Sequence, residues 1–183
     1  MELIQPGQLL ISDPFLKDPN FVRTVVLICE HDDEGSLGFV LNKPYKKKLH
    51  ELITDINSEE FPVFYGGPVH EDTMHFLHKR NDLIEGGFEI GDGIFWGGNF
   101  EQALIQIQNR TITKNDIRFY IGYSGWEHGQ LENELKEKSW ITREGNQHLI
   151  FHKQPTQIWK EALKDLGGEY AQMVHYPLDP QLN

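Results

Sequence analysis

The sequence predicts a single domain of the α/β or α+β class, spanning residues 1–183, on a mixed, curved or barrel-like β-sheet flanked by about four helices. Three observations predict it. Short β-branched and apolar runs, such as Phe21 to Cys29 (FVRTVVLIC) and Ile117 to Tyr123 (IRFYIGY), read as strands. Helical periodicities interleave with them irregularly, which forces neither a doubly wound sheet nor a simple barrel. No low-complexity linker divides the 183 residues, a length that suits one sizeable core.

In chain order, Gln8 to Ser12 reads as a strand closed by Asp13-Pro14. Phe21 to Cys29 is apolar on both alternating faces, as expected of a strand covered on both sides. HDDEGS interrupts it, and LGFVL resumes after Gly35, which predicts a hairpin. Leu49, Leu52, Ile53 and Ile56 recur at helical spacing. A strand at Val63 to Tyr65, the Gly66-Gly67-Pro68 turn, an alternating run from Thr73 to His78 and a strand at Ile94 to Trp96 follow. Asn99 is a plausible N-cap for a helix lined by Phe100, Ala103, Leu104 and Ile107. After the strand at Ile117 to Tyr123, Ser124-Gly125-Trp126-Glu127 matches a capping box, while Gly129 pushes the firm helix start toward Gln130. Leu131 and Leu135 mark that helix. Trp140 to Arg143 and His148 to Phe151 read as two strands across Glu144-Gly145-Asn146. Thr156 is read as the cap of the last helix (Ile158, Trp159, Ala162, Leu163, Leu166), which Gly167-Gly168 stops. The tail with Pro177 and Pro180 reads as extended.

Composition excludes several function classes. A hydrophobic fraction of 38% with 11% aromatics argues against disorder. The net charge of -11 makes direct nucleic-acid binding doubtful, because it removes any global attraction to phosphate. The run Lys46-Lys47-Lys48 reads as a solvated loop. Cys29 is the single cysteine, so no intrachain disulfide forms. The N-terminus lacks the pattern of a signal peptide, and no apolar stretch approaches the roughly 20 residues that span a bilayer. A soluble, cytoplasmic protein without membrane association is expected.

Chemistry-bearing motifs are sparse. Gly122-Tyr123-Ser124-Gly125-Trp126 approaches a nucleophile elbow but puts Trp126 where the strained turn needs a small residue. His70, His75 and His78 cluster in sequence, yet a strand turns His75 and His78 to opposite faces, so no metal or other cofactor is expected. Glu30-His31-Asp32-Asp33-Glu34 is the densest ionisable cluster. It reads as a solvated turn, or as a binding role for Glu30 or His31. Gly66 and Gly67 could offer N–H groups to an anion, but no phosphate-loop or dinucleotide motif follows.

Longer motifs are more specific. GQLLISDP (Gly7 to Pro14), DPNFVRTVV (Asp18 to Val26), CEHDDEGSLGFVLNKP (Cys29 to Pro44), GGPV (Gly66 to Val69), GYSGWEHGQLENE (Gly122 to Glu134) and WKEALKDLG (Trp159 to Gly167) together resemble the YqgE/AlgH family. FWGGNFEQ and the closing PLDPQLN resemble its Bacteroidetes branch. The resemblance implies a bacterial protein with a compact α/β fold around a curved or barrel-like mixed sheet, under a family label of transcriptional regulator. Departures from the family pattern include Ser124 for a common alanine and Glu127-His128 for a common Gly-Pro pair.

These readings lead to a non-catalytic binding or regulatory module. Its partner is a protein or small molecule, its binding residues are Glu30, His31, Asn42, Gly66, Gly67, Trp126 and Gln130, and no catalytic residue is assigned. Two alternatives stand beside it: a DNA-associated regulator, and an enzyme using Glu30 and His31 as acid and base.

Overall fold

The computed structural model describes residues 3–57 and 60–178. Runs of consecutive apolar, buried residues build the first strands, β1 (Gln8–Ser12) and β2 (Val25–Asp32), and β3 (Gly35–Val40) joins them. β2 and β3 form the expected hairpin, and a Cβ on Gly35 would stand 2.1 Å from the Trp126 carbonyl oxygen, so only glycine fits the turn. A one-turn helix α1 (Leu49–Leu52), β4 (Val63–Tyr65), β5 (Val69–His78), β6 (Phe88–Gly91) and β7 (Ile94–Trp96) follow. Next come α2 (Phe100–Gln108), β8 (Ile117–Glu127), α3 (Gln130–Lys136) and β9 (Trp140–Glu144). The chain closes with α4 (Gln147–Ile150), a 3-10 turn at Pro155–Gln157, α5 (Ile158–Leu166) and α6 (Gly168–Met173).

The described strands form one mixed nine-stranded sheet in the order β6-β7-β5-β8-β3-β2-β1-β9, with β4 parallel to β8. It curls into a half-barrel whose two ends approach each other. A Cβ on Gly7, just before β1, would meet the Ile90 carbonyl oxygen of β6 at 2.3 Å. The Gln147 N–H donates to Asp92 Oδ2 at 2.7 Å, tying the start of α4 to the β6–β7 turn. Side chains alternate between layers: Leu9, Ile11, Leu27 and Phe39 pack with α4 and α5, while Leu10, Val26, Ile28 and Val40 pack with Trp126 and α3. Ala103 and Ile107 of α2 cover Phe76, Ile117 and Phe119. The both-faces-apolar reading of β2 is thereby explained.

β8 is shared between two halves of the sheet. Its first part (Ile117 to Ile121) pairs with β5 and β4, and its last part (Ser124 to Glu127) pairs with β3. Gly122, at φ 67, bends the strand between them. There the β4–β5 link crosses it backbone on backbone. A Cβ on Gly66 would lie 2.4 Å from the Gly122 oxygen, and one on Gly67 2.3 Å from the Tyr123 carbonyl.

Several sequence expectations are corrected. The capping box at Ser124 does not form: Ser124 is fully buried inside β8 and its hydroxyl donates to the Gly66 carbonyl at 3.1 Å. The Glu127 N–H is taken by Gln130 Oε1 instead, and α3 does begin at Gln130, after Gly129 at φ 74. Where His148 to Phe151 is expected as a strand, Gln147–Ile150 form the helix α4, with Phe151 at its C-cap. Asn146 caps it by accepting the Leu149 N–H at 2.9 Å, and Leu149 and Ile150 insert side by side into the core. β2 starts only at Val25, because Arg23 takes φ 48 and Phe21 turns to stack near Trp126 and Trp140. The Leu49 helix ends after one turn, with Ile53 extended. Thr156 falls within the 3-10 turn and caps nothing; α5 has no side-chain cap. Gly167, at φ 69, ends α5 as expected, but α6 starts at once from Gly168. The described residues thus carry six α-helices where about four are expected. Pro180 lies outside the described residues.

Gly66→Ala places a methyl group against backbone that cannot move aside. It is expected to destabilise the fold by at least about 1–3 kcal/mol, read as a lower urea midpoint at unchanged slope.

Candidate functional site

At one end of the sheet, three of the seven expected binding residues, His31, Trp126 and Gln130, come together where the β2–β3 turn meets the β8–α3 junction. His31 pairs across the hairpin with Ser36, and its Nδ1 lies 2.8 Å from the Ser36 hydroxyl. Its Nε2 is 3.7 Å from Glu132 of α3. Glu30 is exposed while His31 is half-buried, because successive strand residues face opposite ways. The two therefore do not form an acid/base pair in one cleft.

Trp126 is buried at 5% exposure, so it is a core residue rather than an anchor offered to a partner. Its indole N–H donates to Glu134 Oε2 at 2.9 Å, and Trp140 donates to the same oxygen at 2.8 Å. Gln130 bridges this cluster by donating from Nε2 to Glu134 Oε1 at 3.1 Å. Glu134 is thus the polar hub of the junction. The sequence does not single it out, since nothing in its spacing announces two indoles.

Asn42, Gly66 and Gly67, like Glu30, do not join these three. Asn42 sits at the opposite end of β2, about 20 Å from His31 at strand rise. Its amide accepts the Val25 N–H at 3.0 Å and donates to the Arg23 carbonyl at 2.9 Å, latching the chain before β2. Gly66 and Gly67 are buried in the β8 crossing. The Gly66 N–H bonds Ile121 and its carbonyl receives Val40, so this amide is not free for an anion.

A groove opens beside Asn42, with a volume of about 520 Å³, within the range of small-molecule sites. Lys43, Pro44, Tyr45, Lys46, Tyr65, Glu71 and Ile121 line it with Asn42. The fold builds it by laying the chain after β3 along β4: Tyr65 N–H bonds the Lys43 carbonyl and Tyr45 N–H bonds the Val63 carbonyl. Tyr65 donates its hydroxyl to Glu71 at 2.6 Å. Burial, then the Glu71 hydrogen bond and charge, push the phenol from 10.0 up to about 12. Lys43 donates to the Pro19 and Asn20 carbonyls, and burial pushes its ammonium down while Asp18 acts against that shift. Among the described residues Lys46 has no ion pair. A larger cleft of about 650 Å³ is lined by Asp55, Asn57, Gln108 and Arg110 among others.

The sequence-adjacent histidines do not converge. His78 is fully buried, bonding Gly97 through Nε2 and accepting the Arg80 N–H at Nδ1, and burial pushes it below its ordinary pKa. His75 lies on the other face, 3.0 Å from Thr73, and is pushed down by the same cause. Among the described residues, the side chains whose ligand atoms do converge are His148, His152 and Glu161, all within 4.8 Å of one another. Reading His148 to Phe151 as a strand hides them, since four strand residues span about 13 Å while one helical turn stacks i and i+4. The H-x-x-x-H spacing after the Asn146 cap is the signal that could have found them.

Fold and site define a mixed α/β half-barrel domain with a lined surface groove. The chain belongs to the AlgH-like family, whose model matches residues 9–171. A UPF0301 protein from Chlorobium limicola is 44% identical over 180 residues, covering 98% of this chain and 96% of that one. One from Cytophaga hutchinsonii is 39% identical over 182 residues, covering 99% and 100%, in keeping with the Bacteroidetes-like motifs. The solution structure of the AlgH protein from Pseudomonas aeruginosa is 27% identical with a TM-score of 0.72, covering 97% of this chain and 98% of that chain. Protein DIP2367 from Corynebacterium diphtheriae shares the fold with a TM-score of 0.79 at 14% identity, covering 96% and 94%. These names state no activity.

Two outcomes follow from the geometry. Glu134→Ala leaves two indole N–H groups without their acceptor and is expected to cost about 1–3 kcal/mol, with a red-shifted tryptophan emission; Glu134→Gln, which keeps an acceptor oxygen, costs less. Between about pH 10 and 12, folded Tyr65 keeps a proton that the unfolded chain releases, so stability falls as pH rises through that window. Urea unfolding across the window reads this slope, and Tyr65→Phe is expected to make it shallower, with the remainder carried by Tyr120 and Cys29, whose pKa values burial also raises.

Proposed function

We propose that this chain is a non-catalytic binding module of the bacterial cytoplasm that takes a small ligand in the Tyr45–Tyr65 groove. The observation that carries the reading is the groove itself, where two phenol rings and a proline stand beside an ammonium group. Such a lining suits a ligand with a flat apolar body and a negatively charged end: Tyr45 and Tyr65 pack the body and Lys46 attracts the charge. The divergence of Glu30 and His31 supports a binding role over acid/base chemistry.

A regulatory role, in the sense of the family label, would run through a protein partner that senses the filled groove. Direct reading of DNA has less support. The net charge is -11, and the three-lysine run precedes α1, whose four residues are too short for a recognition helix.

Native mass spectrometry of the full chain purified from bacterial cytoplasm tests the proposal. A bound small molecule is expected on the wild type, with occupancy at least about tenfold lower on a Tyr45→Ala/Lys46→Ala variant, the loss expected for about 1.4 kcal/mol of binding energy. An adduct that survives the double variant overturns the groove as the site. A wild type that carries nothing, and shows no thermal shift with small aromatic acids, overturns the ligand reading.

A further inference from the structure

His148, His152 and Glu161 belong to no part of the groove. They sit where α4 meets α5, and their atoms point at one place. His152 Nε2 is 2.7 Å from Glu161 Oε2, and His148 Nε2 is 3.2 Å from the same oxygen. The two imidazole rings stand 5.3 Å apart at their centroids, with His148 inside α4 and His152 two residues past its end, where the His152 N–H still bonds the Leu149 carbonyl. Both supporting elements are fastened to the core: Leu149 and Ile150 beside the histidines, and Ile158, Trp159, Ala162 and Leu163 of α5 beside the carboxylate, are buried. Arg118 holds the His152 backbone as well. Its guanidinium donates to the Ile150 and His152 carbonyls and lies 5.5 Å from the Phe64 and Phe151 rings. The convergence is therefore built by the fold and is not an accident of two long surface side chains.

We propose that these three side chains form a binding site for a borderline divalent cation of the zinc class. Two imidazoles and one carboxylate match the donors that Zn²⁺ prefers, whereas Mg²⁺ and Ca²⁺ prefer oxygen ligands. Bonds of about 2.0–2.1 Å in a tetrahedral shell place donor atoms about 3.3 Å apart. The contacts of 2.7 and 3.2 Å, with every pair inside 4.8 Å, need only small side-chain adjustments to reach that spacing. His152 is buried to 7% exposure while the His148 and Glu161 side chains reach solvent. One ligand is thus fixed from inside, two close from outside, and the fourth position of the metal faces water. The ion would clip α4 to α5.

Binding has a local cost that also supplies a reporter. The Gln154 N–H donates to His152 Nδ1 at 2.9 Å, so the neutral ring carries its proton on Nε2, aimed at Glu161. A metal on Nε2 moves that proton to Nδ1, where it opposes the Gln154 N–H. The Gln154 peptide, just after α4, must then turn away.

The test uses the full chain stripped with a chelator and titrated with Zn²⁺ alone, against a competing chromophoric chelator. One ion per chain is expected. His148→Asn and Glu161→Gln are each expected to weaken binding by at least about the tenfold that loss of an outer-shell partner costs, and the double variant to abolish it. Both positions are solvent-facing, and circular dichroism checks that the variants fold. In a nuclear magnetic resonance titration, the Gln154 amide is expected to shift with Zn²⁺ in the wild type and stay still in the double variant. His70→Asn, remote from the cluster, should bind as the wild type does, and Mg²⁺ should move nothing. A wild type that binds no Zn²⁺ overturns the site. So does one-to-one binding that survives in the folded double variant, or a Gln154 amide unmoved at saturation.

Discussion

The constraint on which the rest of the structure depends is the backbone crossing at Gly66, Gly67 and Gly122. β8 must serve two halves of one sheet, and an unbent strand of eleven residues would carry all of its pairing in a single direction. Gly122 in the left-handed region turns it, and the absence of side chains on Gly66 and Gly67 lets the β4–β5 link lie directly on the bend. Ser124 then locks the crossing through its bond to the Gly66 carbonyl. The hydroxyl that resembled a nucleophile in sequence is consumed as a structural donor, so it is not itself stranded in the core.

Both ends of the half-barrel inherit their shape from this crossing. On one side, the Gly66 carbonyl receives Val40 and so aligns the chain after β3 along β4, which places Lys43 opposite Tyr65 and Tyr45 opposite Val63 and opens the groove. On the other side, the continuation of β8 past the bend delivers Trp126 beneath α3, where Glu134 gathers two indoles. That junction is closed and satisfied, and its polar groups are occupied with one another. The groove is the opposite case, with aromatic surface and an ammonium group turned to solvent. A ligand gains more from the second arrangement, because it need not displace internal hydrogen bonds.

The α4–α5 corner shows how a buried charge can be used. Arg118 is nearly enclosed and meets no carboxylate among the described residues. Its charge is balanced by two backbone carbonyls and two aromatic faces, and burial pushes its pKa down while the nearby Tyr120 acts to raise it. Because those carbonyls belong to Ile150 and His152, the same interaction that accommodates the guanidinium sets where the His152 ring emerges. A core contact and a surface cluster are thus one construction.

Local patterning determined much of this protein. The strand at Gln8 to Ser12, the hairpin at Gly35, the Asn99 cap and the start of α3 after Gly129 all follow from short-range sterics and hydrogen bonding, which a sequence displays directly. Only tertiary structure decided the rest. His148 to Phe151 has strand-like residues, yet β9 already ends the sheet, so Gln147–Ile150 fold as a helix and bring His148 to His152. Ser124 lies in a strand because β3 needs partners for Leu37 and Gly38. Asn42 and His31 carry the same polar character in sequence, but β2 holds them at its opposite ends. Which polar residues meet depends on contacts between residues far apart in the chain, and no local pattern encodes that distance.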